Sequence, residues 1–269
     1  MTDALMRFSR AHFREMTVVF LLAVAGLGLA LRLTLGAPAW PEGAAAAPVE
    51  RVVLLHGLAR SDRSMRPLAK QLAEAGFEVT NLDYPSTSKG PEELTRMIDR
   101  VIEQCCVDES SPVHFVAHSL GGILVRAYLA ERRPANLGRV VMLAPPNRGS
   151  EIVDLLGDSW LFEKIFGPTA TQLGTSQESL PNRIGPPTYE LGVIAGNKVL
   201  NPLGAWLLSG QHDGTVSIDS AKLEGMSSFL VLPENHSFIM NDPEVAAEVI
   251  HFLRNGRFKG ESSPVSGQP

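Results

Sequence analysis

Three side chains in this 269-residue sequence stand where acyl chemistry would need them. Ser119 lies in the run Val116-Ala117-His118-Ser119-Leu120-Gly121-Gly122. An apolar stretch leads into the serine and a helical pattern leaves it. The serine therefore falls on a sharp turn between a strand and a helix, the arrangement of a nucleophile elbow, which lifts the hydroxyl above the sheet edge. Strand and helix backbones approach closely there, so small residues are required two before and two after. Ala117 and Gly121 meet that condition, with Ala117 in place of the more usual glycine. The bland alternative is a serine that only caps the following helix.

A serine hydroxyl cleaves an ester only with a base, an acid to orient the base, and donors for the oxyanion. The expected chain order is serine, acid, histidine. Asp213, in His212-Asp213-Gly214-Thr215-Val216, is the acid that a tight loop would present. Asp219 reads as the cap of a helical turn, Asp242 as a cap before Pro243, and Asp83 precedes the serine. His236, in Glu234-Asn235-His236-Ser237-Phe238, follows the last strand and is the candidate base. His118 adjoins the nucleophile but points away from it, His212 reads as a loop residue, and His251 faces out of the last helix. One oxyanion donor is the Leu120 amide at the positive end of a helix. The other is the Leu58 amide after His56-Gly57, where glycine lets the loop pass close to a substrate.

These residues need a scaffold, and the hydrophobic pattern supplies one. Short aliphatic runs at 51–55, 77–82, 113–117, 139–143, 190–195 and 228–232 read as strands. Amphipathic or capped segments at 62–75, 91–105, 120–132 and 243–253 read as helices. Strands that alternate with helices, and that are apolar throughout, predict an α/β fold whose parallel sheet is covered on both faces. Residues 144–189 are too long for a plain loop and read as an insertion. It carries Trp160, Leu161, Phe162, Ile165 and Phe166, a candidate lid or acyl-pocket wall; extra core packing is the plainer reading.

The segments Val52–Leu58, Val116–Gly122, Pro145–Ser150, His212–Ser217 and Glu234–Phe238 together resemble the α/β-hydrolase superfamily, and within it small bacterial lipases and esterases. The resemblance covers about residues 51 to 255. It implies a Ser119–Asp213–His236 triad, acyl transfer without a cofactor, and no metal. It also implies strand order 2-1-3-4-5-6 in a reduced six-stranded sheet. The first two antiparallel strands of the superfamily have no counterpart before Arg51. Pro145–Ser150 resembles a lipase signature whose Gly-Ser turn lines the rim of the site, or it is simply a rigid turn. The implied substrate is a carboxylic ester, with lipid esters among the candidates. A thioesterase, acyltransferase or peptidase would use the same triad, and a non-catalytic binding scaffold would share the fold.

The ends of the chain set the compartment. Residues 16–31 are apolar and uncharged, behind Arg7, Arg10 and Arg14. That pattern reads as an export signal, either an uncleaved membrane anchor or a cleaved signal peptide. Residues 1–40 are thus targeting, 41–50 an Ala/Pro/Gly linker, 51–255 the catalytic domain and 256–269 a flexible tail. The domain would sit outside the cytoplasmic membrane, anchored or released. The formal net charge is −5; residues 1–39 hold four arginines and two acids, so the remainder carries −7. With no basic excess or basic run, nucleic acid is not an expected partner, and the sequence does not speak to oligomeric state. Cys105 and Cys106 are adjacent, about 3.8 Å apart at Cα and closer than the usual disulfide range, so they read as helix-end thiols.

Overall fold

The computed structural model describes residues 49–106, 108–200 and 207–260. The segment read as an export signal and most of the expected linker lie outside them. Among the described residues no helix is long and apolar enough to cross a membrane.

Six parallel strands form one sheet in the order β2-β1-β3-β4-β5-β6. They are β1 (Arg51–Leu55), β2 (Glu78–Leu82), β3 (Val113–His118), β4 (Leu137–Leu143), β5 (Leu191–Gly196) and β6 (Ser228–Leu232). The order matches the sequence expectation. Successive side chains of a strand point to opposite faces, and in β1 both faces are buried. Val53 and Leu55 face one core with Leu94, Ile98, Ile123 and Leu124; Val52 and Leu54 face the other with Leu68, Leu72, Val245 and Val249. The first core is roofed by α2 (Pro91–Cys105) and α3 (Leu120–Glu131), the second by α1 (Arg66–Glu74) and α8 (Pro243–Asn255). Val245, Val249, Phe252 and Leu253 of α8 are fully buried. Each such side chain stabilises the fold by about 1.5–3 kcal/mol relative to an exposed one.

Several boundaries depart from the sequence expectation for local reasons. Residues 62–65 form a 3-10 turn, and the α-helix begins only at Arg66, one residue before Pro67. A proline lacks the amide an interior helical position needs, so it favours the first turn. β4 starts at Leu137, which pairs with Val113 across a register shift. The packed body runs past 255: Phe258 is buried against Phe252, and Glu248 accepts from the Lys259 and Gly260 amides. At least residues 256–260 of the expected tail therefore belong to the domain. Cys105 and Cys106 form a disulfide, which corrects the reading of free thiols. Cys106 is buried at the end of α2, and Cys105 is partly buried against the same core.

The insertion between β4 and β5 holds α4 (Glu151–Leu156), α5 (Trp160–Phe166), a 3-10 turn at 170–172 and α6 (Leu180–Arg183). Val153, Leu173 and Leu180 anchor it to the core under α2 and α3. The short α7 (Ile218–Ala221) follows the Asp213 loop.

Candidate active site

The succession of strands across the sheet reverses at β1, with β2 on one side and β3 on the other. Loops leaving the C-terminal ends of the strands at such a switch point open a crevice. Ser119 sits at the end of β3 with φ 52° and ψ −120°, a backbone conformation L-residues rarely adopt. That strain marks the sharp turn expected of an elbow. The turn is held by the Ser119 amide donating to Leu143 O and the Gly122 amide donating to Ser119 O, both at 2.9 Å. A Cβ on Gly121 would stand 2.7 Å from His56 O and 2.9 Å from Leu55 O, so α3 crosses β1 at backbone contact. The expected need for a small residue at 121 is thereby met.

The three expected side chains come together from separate loops. His236 Nε2 lies 3.0 Å from Ser119 Oγ, and His236 Nδ1 lies 2.8 Å from Asp213 Oδ2. Asp213 is buried, and its other oxygen accepts from the Thr215 and Val216 amides at 2.9 and 2.8 Å. These two backbone donors fix the carboxylate, leaving Oδ2 for the imidazole. The Asp213 and His236 loops are also joined directly, His236 N donating to Asp213 O at 3.1 Å. A carboxylate accepts only, so Nδ1 carries the proton and Nε2 offers its lone pair to the serine hydroxyl.

Residues that sequence reasoning passed over support this geometry. His118, set aside as a candidate base, is not idle. Its Nε2 donates to His236 O at 2.9 Å, and the two rings lie 5.0 Å apart. Burial, then the neighbouring His236, hold its pKa well below the ordinary histidine value, so it is neutral. Gly57 makes room for it: a Cβ there would meet the His118 ring at 2.6 Å.

His56 orders the first loop. Its Nδ1 donates to Gly57 O at 2.8 Å, and Nε2 accepts the Tyr84 amide at 3.3 Å. The carbonyl and amide of a trans peptide point in opposite directions. Pinning Gly57 O therefore turns the Leu58 N–H the other way. The Tyr84 ring stacks on His56 at 4.0 Å and its hydroxyl donates to His56 O. Ala59 then takes a left-handed φ of 54°, with its amide donating to the buried Ser86 hydroxyl at 3.1 Å. The Leu120 amide is the first of α3 and has no partner within the helix.

The turn Pro145–Ser150 is a structural junction. Buried Arg126 of α3 donates through Nη1 to Asn147 O and Oδ1, both 3.1 Å, and through Nη2 to Pro181 O and Ile184 O, both 3.0 Å. Asn147 Nδ2 donates to Ala221 O at 2.8 Å, and the Ser220 hydroxyl donates to Gly149 O. Burial lowers the Arg126 pKa to about 10, which leaves it charged at neutral pH. The guanidinium thus ties the elbow helix to this turn and to residues 181–184 of the insertion, and Asn147 extends the tie to the segment after Asp213. Asp219 is not the cap of α7: Ser217 accepts there, and Asp219 pairs with Lys222.

The aromatic residues of the insertion are divided. Phe162 and Phe166 pair at 4.8 Å, with Phe162 packed against the core; Trp160 is 72% exposed, with Leu161 and Ile165 beside it in solvent. Trp160 therefore does not line an enclosed pocket. The end of α5 is fixed by Thr169, whose hydroxyl donates to Lys89 O at 2.7 Å.

Comparison with known proteins follows the same lines. Solved structures with similar folds include a lipase of Bacillus licheniformis in mature form. It is 21% identical with a TM-score of 0.60, covering 74% of this chain and 89% of that one. A metagenomic carboxyl esterase is 18% identical with a TM-score of 0.50, covering 75% and 68% respectively. A monoacylglycerol lipase of Paleococcus ferrophilus is 20% identical with a TM-score of 0.50, covering 78% and 96%. At these identities the likeness is one of fold. No curated protein sequence matches the chain as a relative. The family model for the alpha/beta hydrolase family matches residues 52–249, nearly the whole sheet and all three candidate side chains. By that match the chain belongs to the alpha/beta hydrolase family.

Proposed function

We propose that the protein is a serine hydrolase of carboxylic esters, acting through Ser119, His236 and Asp213. The observation that carries this reading is the continuous chain of hydrogen bonds from Asp213 Oδ2 to His236 to Ser119 Oγ, at 2.8 and 3.0 Å. Nε2 takes the hydroxyl proton as Oγ attacks the acyl carbon. The Leu58 and Leu120 amides hold the oxyanion, the second of them at the positive N-terminus of α3. The tetrahedral intermediate collapses, and the alkoxide leaves with the proton from His236. Water, deprotonated by His236 in turn, then attacks the acyl-enzyme and releases the acid.

The test is labelling by a fluorophosphonate together with turnover of nitrophenyl butyrate. The wild type should label and turn over. Ser119→Ala should do neither while keeping its circular dichroism spectrum. Full activity in the alanine variant would remove Ser119 from the mechanism.

A further inference from the structure

A groove of about 610 Å³ opens between the 3-10 turn at 62–65 and the turn at 239–241. Its size suits a small-molecule site. Its walls continue the candidate site: Ala59 follows Leu58, and Ser237 and Phe238 follow His236. Its charge runs against that of the molecule. The chain beyond residue 39 carries −7, yet Arg60 and Arg63 both line this groove. Both are exposed, and neither has a carboxylate within 4.0 Å among the described residues. The nearby acids are engaged elsewhere. Asp62 binds Arg66 at 2.9 and 3.2 Å, and Asp83 accepts from the Asp62 amide at 3.3 Å while standing 3.5 Å from His56. Arg60 is also near enough to His118 to disfavour its charged form, after the larger effects of burial and His236.

We propose that this groove is a subsite for a phosphate group carried on the alcohol half of the ester, so that the preferred substrates are acylated, phosphate-bearing alcohols of the lysophospholipid class. This rests on the serine-hydrolase reading. The leaving oxygen must reach His236 Nε2 to receive its proton, and the groove begins at the two residues after His236. The alcohol half is therefore the half that enters it. Guanidinium groups present forked donors that match phosphate oxygens. The Ser237 hydroxyl and the Asn241 carboxamide add donors on the opposite wall. Phe238, 51% exposed, supplies an apolar surface for the carbon skeleton between ester and phosphate.

The test uses the full chain and monomeric substrates: monooctanoylglycerol, its phosphate monoester, and the octanoyl ester of glyceric acid, with nitrophenyl butyrate alongside. The wild type should favour the phosphate ester over the neutral one about ten-fold in kcat/KM, chiefly through KM, and less at about 0.5 M salt. The double variant Arg60→Gln/Arg63→Gln should lower that ratio about ten-fold, and Arg60→Lys/Arg63→Lys should retain more of it. The carboxylate ester should rank between the two. Equal or greater preference for the carboxylate ester would overturn the assignment to phosphate. A neutral ester preferred by the wild type, or a ratio that the glutamine pair leaves unchanged, would overturn the subsite. If the wild type hydrolyses any of these esters, those outcomes leave the hydrolase reading standing; if it hydrolyses none of them, both readings fall together.

Discussion

Asp213→Asn isolates what the acid does, because the structure dictates how the new amide must sit. Oδ1 of Asp213 accepts two backbone amides, from Thr215 and Val216. An asparagine can keep both bonds only by placing its carbonyl oxygen there. Its NH₂ then faces His236 Nδ1, 2.8 Å from the atom it replaces. Nδ1 must become the acceptor, so the ring proton moves to Nε2 and the lone pair facing Ser119 is lost. The base is removed without removing a side chain. In a comparable triad a wrong-tautomer substitution costs about 10⁴ in kcat, which is about 5.4 kcal/mol of transition-state stabilisation. A similar loss is expected here, with the denaturation midpoint little changed because both backbone bonds survive. Asp213→Ala is the contrast: it strands the two amides and should lower stability by about 1–3 kcal/mol as well. The assay is kcat on nitrophenyl butyrate beside urea denaturation. An asparagine variant within ten-fold of the wild type would refute the tautomer argument and point to a base that does not depend on Asp213.

Two further outcomes follow from the packing. Gly121→Ala places a methyl 2.7 Å from His56 O and 2.9 Å from Leu55 O, both rigid backbone. A loss of about 1–3 kcal/mol is expected, together with most activity, since the same shift displaces Ser119; an unchanged urea midpoint would contradict the close approach. The second concerns acid. His114 is buried on β3, its Nδ1 accepts the Arg139 amide at 2.8 Å, and its pKa is lowered to about 4, first by burial and then by the Arg139 charge. The unfolded chain binds a proton near pH 6.5 that the folded one refuses until about pH 4. Stability is therefore lost as pH falls through that interval, by about 3 kcal/mol for this group at its lower end. Buried His118 and His56, also lowered, steepen the slope. Urea midpoints between about pH 7 and pH 5 should fall in the wild type and fall less in His114→Gln, and equal slopes would clear His114 of this role.

Much of this molecule is visible in its order of residues, and the visible part has a common character. The strands, the elbow and the serine–acid–histidine order each depend on neighbours in the chain: alternation of apolar residues, glycine at a turn, a loop after a strand. What escaped depends on partners far away. Nothing around Arg126 announces that it will reach Asn147, Pro181 and Ile184. His118 is adjacent to the nucleophile, yet its partner is the backbone of residue 236. The Leu58–Ala59 turn depends on Tyr84 and Ser86, from the loop after a different strand. The cysteine pair failed for another reason. The ordinary spacing of bridged residues argued against a bond between neighbours, whereas the structure closes one. In Phe258, a polar tail concealed one aromatic side chain that packs against α8.

The fixed ends of the helical pair α4–α5 have a consequence for how the family member could be altered. The Ser150 amide is held by Leu173 O at one end, and Thr169 by Lys89 O at the other. Between these moorings lie Leu155, Trp160, Leu161 and Ile165, the most exposed large apolar side chains of the insertion. Closing a flexible segment between fixed points costs little more as it lengthens, by about 0.6 kcal/mol per doubling. Val153 and Phe162 pack on the core, so the stretch 155–161 between them is the cassette. Its length and composition are free to drift, or to be exchanged, while the elbow, the acid loop and the Arg126 junction stay in register beneath it.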